Sequence, residues 1–169
     1  MHRKNKSKIP EEDSAHESRA MIEEEGGLES LVNLLHNEDK DLKEQAASLI
    51  MHLSEGKEIK VLVRQYGGVK PLILLLDSHS EKTREYAAGA LYKLAGDEKN
   101  REKIVENHGM KALIKLLRKP YAVAANAARV LINLAMDKDN LLVIAQHDGL
   151  RPLIDLLSCG HEEAEENAA

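Results

Sequence analysis

Apolar positions along the chain recur at intervals of three and four rather than two, so the chain reads as a series of amphipathic helices with no strand pattern. The longest are LKEQAASLIMHLSE (42–55), TREYAAGALYKLAG (83–96) and VAANAARVLINLAM (123–136). Within them Leu42, Ala46, Ile50 and Leu53 fall on one stripe, as do Ala87, Leu91 and Leu94, and Ala127, Leu131 and Leu134. Small Ala residues in the second turn let a neighbouring backbone come close, so these helices are expected to stack on one another.

Shorter aliphatic stretches alternate with the long ones and repeat: EEGGLESLVNLL (24–35), QYGGVKPLILLL (65–76), NHGMKALIKLL (107–117) and HDGLRPLIDLL (147–157). Their shared glycines, Gly27, Gly68, Gly109 and Gly149, are 41, 41 and 40 residues apart. A fixed period of this length marks a solenoid built from one supersecondary unit. The unit is a short helix, a glycine bend, a helix, a loop and a longer helix. The glycine is expected to supply positive φ or to permit close backbone approach at the bend, and Pro71 and Pro152 sit where a following helix starts and an amide donor is not needed.

These residues resemble the armadillo repeat, with its Asn, Ile-Val, Gly, Leu-Val-x-Leu-Leu and Ala-x-x-Leu-x-x-Leu pattern. Asn100, Ile104, Val105, Gly109 and ALIKLL match it, and Asn140, Ile144, Gly149 and PLIDLL match it again. The Asn position is Ile59 in the second unit and Ser18 in the first, where SRAMIEEEGG reads as a weakened helix. The two-helix HEAT repeat is the competitor, and the recurrent bend after a short helix favours armadillo. The resemblance implies an all-α, right-handed armadillo-type α-solenoid: a disordered charged tail over 1–17, a degenerate first repeat over 18–56, repeats over 57–97 and 98–137, and an incomplete fourth over 138–169. The tail HEEAEENAA (161–169) aligns with the start of a third helix, which gives the expectation of a longer array cut short. On that expectation Leu153, Leu156 and Leu157 lack a covering neighbour, and the open C-terminal end is a candidate for self-association.

The resemblance also implies that the concave wall, lined by the long helices, carries function. The solvent-facing rungs in register are Gln45, Ser48 and His52; Tyr86, Gly89 and Lys93; and Asn126, Arg129 and Asn133. Such a ladder binds an extended protein segment, with Asn pairing to its backbone. Nuclear-import adaptors of this family carry Trp and Asn on successive long helices; the corresponding pairs here are Ser48 and His52, Gly89 and Lys93, and Arg129 and Asn133, and the chain has no Trp. Lys93 and Arg129 point instead to an acidic or phosphorylated partner segment, against the alternative that they are a solvated helix face.

Composition and charge narrow the remaining classes. There is no Phe or Trp, so the core is aliphatic, and the four dispersed Tyr offer no stacking platform for single-stranded nucleic acid. Of the net charge of −5, residues 1–25 carry −2 and residues 161–169 carry −4, leaving +1 between them, which argues against a phosphate-holding surface. No nucleic-acid partner, no membrane insertion, no cofactor and no metal are expected. The single cysteine, Cys159, is expected in a loop beside Gly160 without an activating base, HEEAE lacks the second His of a zinc motif, and neither GG pair is followed by the Lys-Ser/Thr of a phosphate loop. The chain is therefore expected not to be an enzyme. The basic run HRKNKSK reads as a disordered tail or a nuclear-localisation signal, so the expected compartment is the cytoplasm, with the nucleus as a second location. Two rivals to an adaptor with a peptide groove remain: the substrate-docking fragment of a U-box-type ubiquitin ligase, and an assembly protein that works through repeat edges.

Overall fold

The computed structural model describes the backbone of residues 26–166 and the side chains of residues 26–158. The expected tail over 1–17, the weakened helix over 18–25 and Asn167 to Ala169 lie outside the described residues. Among the described residues the chain is all-helical: α1 (Gly27–Leu34), α2 (Lys40–Leu53), α3 (Lys57–Gln65), α4 (Val69–Leu75), α5 (Glu81–Leu94), α6 (Glu98–Glu106), α7 (Gly109–Leu116), α8 (Tyr121–Leu134), α9 (Lys138–Gln146) and α10 (Leu150–Glu166). Helices α3, α4 and α5 form one unit and α6, α7 and α8 the next, with α1 and α2 before them and α9 and α10 after. The long helices α2, α5 and α8 stack in sequence, and the main helix contacts join elements of the same or adjacent units. This nearest-neighbour pattern defines a solenoid.

Local sequence starts each long helix where a loop must end. Asp39 caps α2 by accepting from the amides of Asp41 and Leu42, and Ser80 caps α5 by accepting from the amide of Thr83. Pro120 precedes α8, where its missing amide costs no hydrogen bond. The buried stripes are Ala46 and Ile50; Ala87, Leu91 and Leu94; and Ala127, Leu131 and Leu134. Each fully buried Leu or Ile contributes about 1.5–3 kcal/mol relative to exposure. Leu42 departs from the expected stripe and is 41% exposed, while Leu53 is only partly buried.

The bend between the first two helices of a unit divides its work between two residues. Positive φ falls on the residue before the shared glycine: Gly26 (67°), Gly67 (78°), His108 (59°) and Asp148 (56°). Gly68 itself has an ordinary φ of −68°. The amide of Gly67 donates to the Arg64 carbonyl (3.0 Å) and that of Gly68 to the Val63 carbonyl (2.8 Å), a Schellman closure of α3. Asp148 and Gly149 close α9 in the same way, at 3.2 Å to Ala145 and 2.9 Å to Ile144. The shared glycine is needed for space. A Cβ on Gly109 would lie 2.9 Å from Ile104 Cγ2, 3.0 Å from the Ile104 carbonyl oxygen and 3.1 Å from Ile73 Cδ1 of the preceding unit.

A buried polar hub locks α3, α5 and α6 together. Asn100 is fully buried; its Nδ2 donates to the carbonyls of Leu94 (3.1 Å) and Lys60 (3.2 Å), and its Oδ1 accepts from Arg64 (3.3 Å). Arg64 also pairs with Asp97 at 2.7 Å, and Asp97 caps α6 by accepting from the Asn100 amide. Asn140 repeats part of this by donating to the Leu134 carbonyl at 3.0 Å. At the equivalent place in the preceding unit Ile59 is buried instead.

Two expectations about the C-terminal unit need correction. Cys159 and Gly160 do not form a loop, because α10 runs unbroken from Leu150 to Glu166. Ser158, where a cap for a new helix would be needed, donates back to the Ile154 carbonyl at 3.0 Å, and no proline follows to stop the helix. A single Gly among Glu and Ala costs about 1 kcal/mol, which is not enough to break it. Leu153 is not uncovered either: it is buried within the core as α10 packs on α8, while Leu156 is partly buried and Leu157 is 59% exposed.

Candidate functional site: the face of the stacked long helices

Stacking brings the expected rungs onto α2, α5 and α8, but they are not equally available. Gln45, His52 and Arg129 are exposed; Ser48, Tyr86, Lys93, Asn126 and Asn133 are partly buried; Gly89 is buried. Tyr86 packs against the hydrophobic core. His52 Nδ1 lies 2.7 Å from the Ser48 carbonyl oxygen, which places the proton on that nitrogen and ties the ring to its own helix.

Gly89 is not an open rung. A Cβ there would collide with the Met51 sulfur and lie 3.4 Å from Asn126 Nδ2, so side chains of both flanking helices close over it. The missing side chain lets α2 and α8 approach α5, and Met51 fills the space. Asn126 helps this closure with a long contact from Nδ2 to the Glu85 carbonyl at 3.4 Å.

The two groove cations have different surroundings. Lys93 forms an ion pair with Glu55, so its charge is already balanced. Arg129 lies over the Tyr92 ring, 5.6 Å from its centroid, with Nη1 3.4 Å from Asn126 Oδ1. No carboxylate is within ion-pair distance of Arg129 among the described residues. Stacking on tyrosine holds a guanidinium without neutralising it. The Asn133 carboxamide makes no hydrogen bond among the described residues, and the residue lines a 390 Å³ hollow walled by Glu55, Lys60, Tyr92 and Lys93, among others.

Tyr92, Met51 and Glu55 are residues at this candidate face that the rung alignment missed. Met51, Tyr92 and Ile132 occupy the same register one residue before the third rung, and their size at that position was the available signal. At the start of the helices, Glu44 accepts hydrogen bonds from the hydroxyls of Ser80 (2.7 Å) and Thr83 (2.8 Å). These bonds, from Ser80 first and Thr83 second, hold its carboxyl below the ordinary 4.5, helped by Lys82 and opposed by desolvation. Among the described residues no group of three or more His, Cys, Asp or Glu side chains could hold a metal ion, and no helix is long and apolar enough to cross a membrane.

Comparison with known proteins follows the same architecture. The family model for the armadillo/beta-catenin-like repeat matches residues 56–96. An engineered protein of known crystal structure is 31% identical with a TM-score of 0.78, over 90% of this chain and 63% of that one. A designed armadillo repeat protein in complex with the peptide (KR)4 is 26% identical with a TM-score of 0.76, over 84% of this chain and 61% of that one. An armadillo-repeats-only protein from Plasmodium falciparum shares the fold, at 21% identity and a TM-score of 0.72, over 85% of this chain and 68% of that one. The chain thus spans a little over 60% of the length of the first two. No curated protein sequence matches it. Residues 56–96 thus match the armadillo/beta-catenin-like repeat, and the array that contains them has the fold of designed armadillo-repeat α-solenoids.

Proposed function

We propose that the protein is a non-enzymatic binding scaffold that holds an extended segment of a partner protein along the face of α2, α5 and α8, with an acidic or phosphorylated side chain seated at Arg129. The observation that carries this reading is the unspent polar chemistry at one end of the face. Arg129 is exposed, uncompensated and pre-oriented on Tyr92, and Asn133 one turn later has a carboxamide with no partner among the described residues. A fixed guanidinium accepts a carboxylate or phosphate in bidentate fashion at small entropic cost. A neighbouring carboxamide can then pair with both an amide and a carbonyl of an extended backbone. The designed relative in complex with (KR)4 supports the idea that an array of this fold can hold a peptide, and the charge at Arg129 argues for the opposite polarity of side chain here. Lys93 contributes less than its sequence position suggests, because Glu55 already pairs with it.

Peptide display against the purified protein, followed by anisotropy on selected acidic and phosphorylated peptides, tests the proposal. Arg129→Glu and Asn133→Ala should each weaken binding about tenfold or more, by loss of a charge-assisted contact and of backbone pairing. Lys93→Gln should leave it within about twofold. Selected peptides that bind both Arg129→Glu and Asn133→Ala as tightly as the parent protein would overturn the groove assignment.

A further inference from the structure

Two successive junctions between units carry the same acceptors but not the same donor. Where α3 meets α6, Arg64 reaches into the next unit and sets its guanidinium on Asp97 (2.7 Å) and on Asn100 Oδ1 (3.3 Å). Where α6 meets α9, Asp137 and Asn140 stand in the places of Asp97 and Asn100 and repeat their backbone contacts. Asp137 caps α9 by accepting from the Asp139 amide (2.9 Å), and Asn140 Nδ2 donates to the Leu134 carbonyl (3.0 Å). The place of Arg64 is taken by Val105, each being the residue before the last of its nine-residue helix. Valine has no donor to offer. Among the described residues Asn140 Oδ1 accepts no hydrogen bond and Asp137 has no ion-pair partner.

A hollow of 630 Å³ lies at this second junction, with Asp137 and Asn140 in its polar lining and Val105 and Met136 in its apolar lining. Its charge is one-sided. Glu98, Glu102 and Glu106, one turn apart along α6, line it together with Asp137. Against them stands one cation, Arg101, whose Nη1 is already engaged by the Ala95 carbonyl at 3.0 Å. Lys103 pairs with Glu106 at 2.6 Å, while Glu98 and Glu102 have no ion pair among the described residues. The corresponding residues of α3 are Lys57, Val61 and Gln65, so the acidic wall is absent where Arg64 supplies the guanidinium from within the chain. A carboxylate beside a carboxamide oxygen suits a planar guanidinium, which donates to both at once, better than an ammonium. Apolar neighbours suit the methylene stem of the same side chain.

We infer that the hollow between α6 and α9 binds an arginine side chain of a partner protein. The guanidinium sits on Asp137 and Asn140 as that of Arg64 sits on Asp97 and Asn100, and the stem lies against Val105 and Met136. The hollow shares no lining residue with the face that carries Tyr92, Arg129 and Asn133, so it is a second contact surface, of opposite charge preference, and stands apart from the peptide-binding proposal.

The test titrates acetylated, amidated Gly-Arg-Gly and Gly-Lys-Gly, neither of which carries a carboxylate for Arg129, into the isotope-labelled chain at millimolar concentrations and follows amide chemical shifts. The arginine peptide should give saturable shifts at Val105, Asp137 and Asn140, with an affinity about tenfold above that of the lysine peptide, the worth of one charge-assisted hydrogen bond. Asp137→Asn keeps a good cap for α9 and should weaken the arginine peptide about tenfold. Val105→Arg supplies the guanidinium from within the chain, as Arg64 does, and should abolish the saturable shifts. The two substitutions alter the hollow from opposite walls, and circular dichroism matching the parent shows which variants are folded, so either one alone decides. No saturable shift at these amides in the parent, equal affinity for the two peptides, or an arginine peptide that binds a folded Asp137→Asn or Val105→Arg chain as tightly as the parent would each overturn the inference.

Discussion

Substitution of Gly109 tests the division of labour at the bend. Cβ contacts are ordinarily 3.4–4 Å, and a Cβ on Gly109 would meet Ile104 Cγ2 at 2.9 Å, the Ile104 carbonyl oxygen at 3.0 Å and Ile73 Cδ1 at 3.1 Å. The carbonyl belongs to the last turn of α6 and cannot rotate away, so α6 and α7 must separate by a few tenths of an ångström. Overpacking of this kind costs about 1–3 kcal/mol. Alanine recovers about 0.4–1 kcal/mol by reducing the freedom of the unfolded chain. Gly109→Ala is therefore expected to lose about 1–2 kcal/mol net, and Gly109→Val, with two further methyl groups aimed at the same neighbours, about 3 kcal/mol or more. At a urea m value of about 2 kcal/mol/M, the alanine variant's midpoint should fall by roughly 0.5–1 M. The assay is urea unfolding followed by circular dichroism at 222 nm, since the chain has no Trp to report by fluorescence. His108→Gly is the companion variant. It relieves a left-handed conformation at φ 59°, and should raise stability by up to about 1 kcal/mol after the added freedom of glycine is discounted. Gly109→Ala as stable as the parent, or His108→Gly less stable, would refute the assignment of close approach to one residue and left-handed backbone to the other.

Two further outcomes follow from the junctions between units. Asn100→Leu removes the donors to the Leu94 and Lys60 carbonyls and the acceptor for Arg64, and should cost about 2–4 kcal/mol in urea unfolding, because buried partners are left unsatisfied; a loss below about 0.5 kcal/mol would discount the hub. Glu44 has a lowered folded pKa, so its bridge stabilises the array above the ordinary glutamate range and that contribution is lost as pH falls through the lowered value. Glu44→Gln should accordingly be less stable than the parent at neutral pH, with the gap closing as pH falls through the lowered carboxyl pKa; a gap that stays constant with pH would assign the effect to something other than the carboxylate.

The period, the helix types and the repeat family were legible in the chain itself, because each depends on local spacing. Ala46, Ile50, Leu91 and Leu131 lie on helical stripes wherever those helices end up, and Asn100 and Asn140 stand in the family's own position. The groove was legible only as a register. Spacing places Lys93 and Arg129 alike among the solvent-facing rungs, but stacking sets Glu55 against one and Tyr92 beneath the other. Gly89 reads as an open rung for the same reason: a glycine's neighbours across the stack are invisible to its own helix, and Met51 closes over it from α2.

The sequence by itself therefore determined a four-fold glycine period, amphipathic helices with aliphatic stripes and an armadillo-type array, since intervals of three and four dictate which side chains share a face. Only the tertiary structure decided that positive φ belongs to the residue before each shared glycine, that one of two groove cations is already neutralised, and that α10 continues past Ser158 with Leu150, Ile154 and Leu157 open to solvent. The pairing of Lys93 with Glu55 joins residues of adjacent units, and a side chain's spacing along its own helix carries no information about what packs against it from the next unit.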